Sequence, residues 1–324
     1  MPNARGDQAK LLACRQTTFG TAESAADGAF YALPFYNYNV VPSGELASDE
    51  AIYGDSFAGE LVAGLRNLSG AIEVPLGLDS FGWHLAQLLG LPTTTGAAAP
   101  YTHVFRAAAN PPILLGTHGI SHAGVAQHFT QDSLAVQSLE IQAQKNGQRQ
   151  RATLNMVGRE EILAGATLDG TPVEFAADPV PVGFQGLLSV NGTEATGVTQ
   201  AGITLGTGRE ADQETLNGLA TASDINLGFW DLSGSLNARF RDATYYNAAS
   251  AGIEMALSLA WTISANYSLA ISIPRVVLER TGVPVDGRNL ISQSFNWRAP
   301  RPATGQQLIE LTLINSTADY ANPA

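Results

Sequence analysis

The stretch NLSGAIEVPLGLDSFGWHLAQLLG, Asn67 to Gly90, decides how the whole chain is read. Its grammar returns in DLSGSLNARFRDATYYNAASAG, Asp231 to Gly252. Each copy opens on Leu-Ser-Gly, runs through alternating residues and passes into one short helical segment. Gly70 and Gly234 stand half a chain apart in a polypeptide of 324 residues. Counting on from each glycine, Ile72, Val74 and Leu76 match Leu236, Ala238 and Phe240. The intervening Ala71, Glu73 and Pro75 match Ser235, Asn237 and Arg239. Apolar side chains on every second residue define a half-buried strand. Ser69, Gly70, Ile72 and Val74 are therefore expected to hold the same places in one unit that Ser233, Gly234, Leu236 and Ala238 hold in a second.

Period two dominates the rest of the chain. QSLEIQAQ puts Leu139, Ile141 and Ala143 on one face, and ATLNMV resumes the pattern with Ala152, Leu154 and Met156. Between them Asn146-Gly147 predicts a two-residue type I′ hairpin turn, since both residues accept positive φ. EMALSLAW, YSLAISIP and LIELTLIN alternate in the same way, with Pro274 expected to end its strand. SLEI (Ser138–Ile141) and SLAI (Ser268–Ile271) look like a second repeated element at unequal spacing. Helices are few. Phe81–Leu89 has Ser80 as N-cap and Gly90 beyond its end, Ala243–Ala251 precedes Gly252, and Gln8–Arg15 is a third candidate. The class is mainly β, with one short helix per half.

The segment TPVEFAADPVPVGFQG, Thr171–Gly186, holds three prolines that favour extended chain without ladder donors. It divides the polypeptide into a first unit over 1–171, a linker over 172–186 and a second unit over 187–324. The first unit is longer because of Pro92–Asp132, which reads as a long insertion loop, and long loops inside compact units are usually functional.

Charged residues make up only 14% of the chain, against about 25% in an ordinary soluble protein. Ala, Gly, Ser, Thr and Asn take their place, a composition suited to extensive contact with other protein. The net charge of −12 disfavours binding to phosphate backbones or anionic membranes. A single cysteine, Cys14, excludes an internal disulfide framework. No segment has signal-peptide or membrane-span character, so the chain is expected to be soluble and made in a cytoplasm.

In THGISHAGVAQH, His118, His122 and His128 invite a metal reading. The glycines oppose the helix that an i, i+4 histidine pair needs, and no HExxH glutamate is present. Cys14 lacks a basic setting, and no nucleophile elbow, Walker loop or dinucleotide fingerprint occurs. The expectation is no enzyme, no cofactor and no metal. A carbohydrate-binding or adhesin-like sandwich and a hydrolase on a β scaffold are the competing classes.

Several ordered segments resemble the tail tube proteins (major tail proteins) of long-tailed, non-contractile phages. They are TTFGTAES (Thr17–Ser24), Gly54–Gly90, PYTHVF (Pro100–Phe105), LSGSLNARFRDATYYNAASAG, YSLAISIPRVVLE and the closing Gly287–Thr317. The resemblance implies a β-sandwich or split barrel with a flanking helix, whose protomers join sheets into rings that stack as a hollow tube. It implies as partners the chain itself, a tape-measure protein, a tail terminator and tail-tip proteins, with genome DNA passing through the bore unbound. Single-unit members form hexameric rings, so a doubled chain is expected to form a homotrimer with pseudo-six-fold symmetry. Glu73, Glu140 and Asp224 are candidate lumen acids. Pro92–Asp132, with His118, His122 and His128, is the candidate inter-ring loop.

Overall fold

The computed structural model describes residues 3–175, 177–285 and 287–320. The first half contains β1 (Ala9–Gln16), β2 (Tyr31–Leu33), β3 (Asn37–Ser48), β4 (Leu61–Pro75), α1 (Phe81–Leu89), β5 (Thr93–Thr95), β6 (Tyr101–Arg106), β7 (Leu115–His122), β8 (Gln127–Gln144), β9 (Arg151–Gly158) and β10 (Glu160–Ala164). The second contains β11 (Gly186–Val190), β12 (Thr193–Glu194), β13 (Val198–Gly206), β14 (Glu210–Asp212), β15 (Asp224–Asn226), β16 (Asp231–Arg239), α2 (Thr244–Ala251), β17 (Glu254–Ser264), β18 (Tyr267–Leu278), β19 (Ser292–Arg298) and β20 (Glu310–Asn315). The protein is mainly β, as its period-two patterning requires.

Strand pairing reads the same way twice. In the first half β1 pairs with β2 and β7, β4 with β3 and β9, and β8 with β7, β9 and β10. In the second, β11 pairs with β12 and β17, β16 with β13 and β19, and β18 with β17, β19 and β20. The registers coincide as well. Ser69 faces Val41 and Val157, while Ser233 faces Thr204 and Arg298. Even the irregularity is shared: β7 and β8 slip between Gly116/His118 and Leu134/Gln131, and β17 and β18 slip between Met255/Leu257 and Val276/Ile273. A bulge bends its strand, and Ser133, inside the first one, takes φ 55° where β8 passes from one sheet to the next.

Both Leu-Ser-Gly glycines have a steric reason to be glycine. A Cβ at Gly70 would overlap the carbonyl oxygen of Asn39, and one at Gly234 would overlap that of Gly202. Asn39 and Gly202 hold matching register positions, opposite Ala71 and Ser235. The repeated tripeptide thus marks one close backbone approach made twice.

The two halves share one continuous apolar core that runs from Leu11 to Tyr320. They are joined edge to edge by β8 and β13, in register from Ser138↔Gly206 to Gln144↔Gln200, and again by β6 and β20. Helix α1 buries every one of its residues, His84 and Gln87 included, whereas the polar α2 buries only Ala248 and Ala249.

Several sequence expectations need correction. Gln8–Arg15 is mostly strand β1, not helix. Its residues Leu11–Gln16 are buried on both faces, which erases the alternation that marks a strand. Pro92–Asp132 is no long loop: it supplies β5, β6, β7 and the start of β8. Glycine and polar residues disguise β7, where Gly116–Ser121 are nevertheless all buried. The β8–β9 hairpin exists, but neither Asn146 nor Gly147 has positive φ. Its loop is opened by the linker, with Gly183 and Phe184 N–H donating to Gln148 and Asn146 carbonyls. Pro274 does not end β18, because it lies in the bulge that spares a proline its ladder bond. SLEI and SLAI are not equivalent: the first pairs with β9 and β13, the second with β17 and β20. Ser80 caps through a partner; its hydroxyl donates to Asp178 of the linker, which also accepts the Asp79 and Ser80 N–H groups at 3.0 Å.

Candidate functional site

The β8–β13 junction fuses β3, β4, β9, β8, β13, β16 and β19 into one sheet that spans both halves. One face is core: Ile72, Leu154, Ile141, Ile203, Leu236 and Phe295 are all buried. The opposite face is a field of small polar side chains. One row across the seven strands reads Asn37, Glu73, Thr153, Glu140, Thr204, Ser233 and Arg298. The next positions along the strands add Asn155, Ser138, Ser235, Asn237, Ser294 and Asn296.

Charges on this face are few and mostly paired. Glu73 bonds Arg151 at 3.1 Å, and Arg298 lies 3.6 Å from Glu279. Glu140 has only a 3.4 Å contact from Asn155 Nδ2. Glu73 and Glu140 are thus brought into one row, together with Ser233. Asp224 is not; it pairs with Asp212 on the separate two-stranded sheet β14–β15. Ser69 shares the polar face, while Ile72, Val74, Leu236 and Ala238 point into the core.

The histidine set is dispersed. His118 is fully buried; its Nδ1 lies 3.1 Å from Tyr38 Oη, and Tyr38 also donates to Gln131, which in turn donates to Glu161 and the Val40 carbonyl. Burial holds the His118 and His84 rings neutral, each pushed down to about 3, and raises the Tyr38 phenol well above its ordinary range. His128 contacts Ser121 Oγ at 2.9 Å, and His122 packs edge-on to Phe129. Asp132 bonds Arg159 at 2.9 Å, and burial raises its carboxyl despite that cation. Pro92 lies between α1 and β5. Among the described residues no group of histidine, cysteine and acidic side chains could hold a metal ion. Cys14 is buried, and burial pushes its thiol up to about 11.

Two buried arginines fix α1, and no sequence pattern points to either role. Arg209, from the β13–β14 turn, donates to the carbonyls of Gln87, Leu88 and Val136 at 3.0–3.2 Å. A cation at a helix C-terminus satisfies orphan carbonyls and the dipole together. Arg15 donates to the Trp83 carbonyl and stacks over the Trp83 ring at 4.8 Å. Burial lowers both guanidinium groups to about 10.

A broad, weakly charged polar sheet face backed by a continuous core is a surface suited to assembly with other protein. Residues 6–299 match the family described as phage tail tube protein, and the chain belongs to that family. It is a structural component of a phage tail, a protein that self-assembles into the tube. No curated protein matches the chain.

Proposed function

We propose that the chain is a duplicated tube unit, that three copies close into a ring with pseudo-six-fold symmetry, and that the seven-strand polar face lines the bore. The observation that carries this reading is the repetition of seven strand pairings within one polypeptide, with the same register around Ser69 and Ser233 and the same slip in β7–β8 and β17–β18. Two units already joined edge to edge supply one third of a six-unit annulus, and heterologous contacts that close by rotation make rings. Stacked rings then guide the tape-measure protein during assembly in the host cytoplasm and conduct genome DNA at ejection. Terminator and tail-tip proteins would meet the ends of the stack.

Three chains carry about −36, three times −12. The polar face contributes little of this, since Glu73 is neutralised by Arg151. Hydroxyl and amide groups with few free cations give passing phosphates no counterions to release, so DNA slides without being held. The β3–β4 connection exposes Ile52, Tyr53 and Phe57, and the connection from β13 to β16 exposes Leu216, Leu219 and Phe229. Clustered apolar side chains of this kind suit protein contact, here between successive rings. Negative-stain microscopy of concentrated protein, with rotational averaging of end views, is the test. Three-fold rings with six-fold modulation and an open bore are expected; particles without a bore would refute the reading.

A further inference from the structure

On the ring reading, we propose that the seam between neighbouring chains repeats the seam inside the chain: the Glu279–Val285 arm of one copy docks on the free edge of β3 in the next. Inside the chain, the arm of β8 from Ser138 to Gln144 pairs along the outer edge of β13. Its apolar face, Leu139, Ile141 and Ala143, is buried there. Beneath lie Ala201, Ile203, Leu257, Leu259, Ile271 and Ile273, around a residual cavity of only about 10 Å³.

The register equivalence places Tyr38, Val40, His118, Ile120, Phe129 and Gln131 of the first half at those same six positions. There Val40, His118, Ile120 and Gln131 are buried, while Tyr38 and Phe129 are only half-buried. Among the described residues β3 pairs only with β4, and beside its outer edge lies an open groove of about 480 Å³ lined by five of the six. One half's groove is filled by an arm from the other half, and the remaining groove is empty.

The occupant is identified by the same equivalence. Val136↔Met156 closes the base of the β8–β9 arm, and Leu278↔Trp297 closes the base of its counterpart. The two spans, 136–156 and 278–297, differ by one residue. Near each tip the sequence has a turn-forming dipeptide, Asn146-Gly147 in one and Asp-Gly at 286–287 in the other. Yet among its described residues the second arm forms no strand between Leu278 and Ser292. It leaves the ladder after Glu279 N–H bonds the Asn296 carbonyl, and it exposes Val285 and Leu290 at 73% and 75%. This is an arm of the right length, with apolar side chains uncovered and, among the described residues, no partner strand.

If the second arm keeps the one-residue bulge that β8 carries between Val136 and Ser138, the register follows. Ile141↔Ile203 becomes Val283 opposite Val40, and Glu140↔Thr204 becomes Gly282 opposite Val41. Pro42 and Pro284 each remove a donor, so the intermolecular ladder is shorter than the internal one. Among the described residues of the free chain the arm has no strand partner, its Thr281 and Gly282 carbonyls accepting only long contacts of 3.4 and 3.3 Å from the Gln293 amide. It is ordered by its neighbour, head to tail, a contact that every copy both gives and receives.

Cysteine crosslinking tests the register. Val41 is half exposed, and a Cβ at Gly282 meets nothing within 4 Å, so neither substitution disturbs the fold. Directly opposed strand residues lie within disulfide reach. Under mild oxidation, a mixture of Val41→Cys and Gly282→Cys chains should give a crosslinked dimer that neither variant gives alone. The double variant should give covalent species ending at a trimer. Buried Cys14 takes no part. Rings visible by microscopy without the Val41–Gly282 crosslink would overturn this seam while leaving the tube reading intact. Absence of both rings and crosslink would overturn the tube reading itself.

Discussion

His118→Leu isolates one buried proton site and uses the molecule's own repeat as the guide. In the second half the matching position, facing Val190 and Ile273 as His118 faces Ala13 and Gln131, is Leu257. His118 is fully buried with Nε2 unpartnered, and burial pushes its ring down to about 3. An unfolded histidine titrates near 6.5. The folded ring therefore stays neutral while the unfolded ring takes a proton, so its share of stability is intact above about pH 6.5 and is lost as pH falls towards 3. The slope is about 1.4 kcal/mol per pH unit, which amounts to about 1.4 kcal/mol between pH 7.5 and 5.5. That interval stays above the pI of 4.8, where the protein is least soluble. At pH 7.5 the variant should lie within about 1 kcal/mol of wild type, because Tyr38 keeps Gln131 and an unpaired nitrogen is removed. Urea unfolding at both pH values measures the difference directly, and carboxylates common to both proteins cancel. His84, also near 3, keeps part of the wild-type acid sensitivity in the variant. Parallel stability profiles for the two proteins would refute the assignment of His118 as a buried neutral ring.

Arg209→Met should cost about 3 kcal/mol or more, since it orphans buried carbonyls of Gln87, Leu88 and Val136. Arg209→Lys should recover little of it in thermal melts, because an ammonium group lacks the forked geometry. Gly70→Ala and Gly234→Ala should each destabilise by about 3 kcal/mol or more, because the added methyl meets a backbone oxygen that no rotamer change can relieve. Gly147→Ala, which meets open space, is the control, and equal solubility and melting of all three would contradict the close-approach explanation.

The strand content was legible because most strands bury one face. Leu139, Ile141, Ala152, Leu154, Leu257, Leu259, Leu311 and Leu313 are all inward, as their parity indicates. What alternation could not show were the strands buried on both sides. β1 and β7 are uniformly buried over most of their length, and β7 achieves it with Gly116, Gly119 and His118. The paired Leu-Ser-Gly segments carried the true register because a backbone clash fixes their glycines. SLEI and SLAI carried none, since a Ser-Leu pair in a strand answers only to parity. The polar face is half legible: the alternating runs mark Glu73 and Glu140 as outward, but only the β8–β13 pairing places that row in a sheet spanning both halves. Arg209 lay in a glycine-bearing turn with no pattern linking it to α1, so its capping role depended on tertiary contact alone.

A chain that contains its own interface constrains its assembly. The β8–β13 seam relates the first half to the second by a particular rotation, set by strand twist and by the bulges at Ser133 and Pro274. If the arm after Leu278 docks on the β3 of a second copy in the equivalent register, the same rotation is applied again, and the units advance around one axis. Repetition of one heterologous contact gives either a closed ring or an open filament, depending on whether the rotation divides a full turn. Closure also removes the free edge of β3, an aggregation liability in any isolated sheet. The prolines at 42 and 284 then have a reason to be where they are. They weaken the edge against unrelated strands, while the groove beside Val40 and Ile120, which demands an apolar arm of one length, preserves selectivity for the chain's own second half.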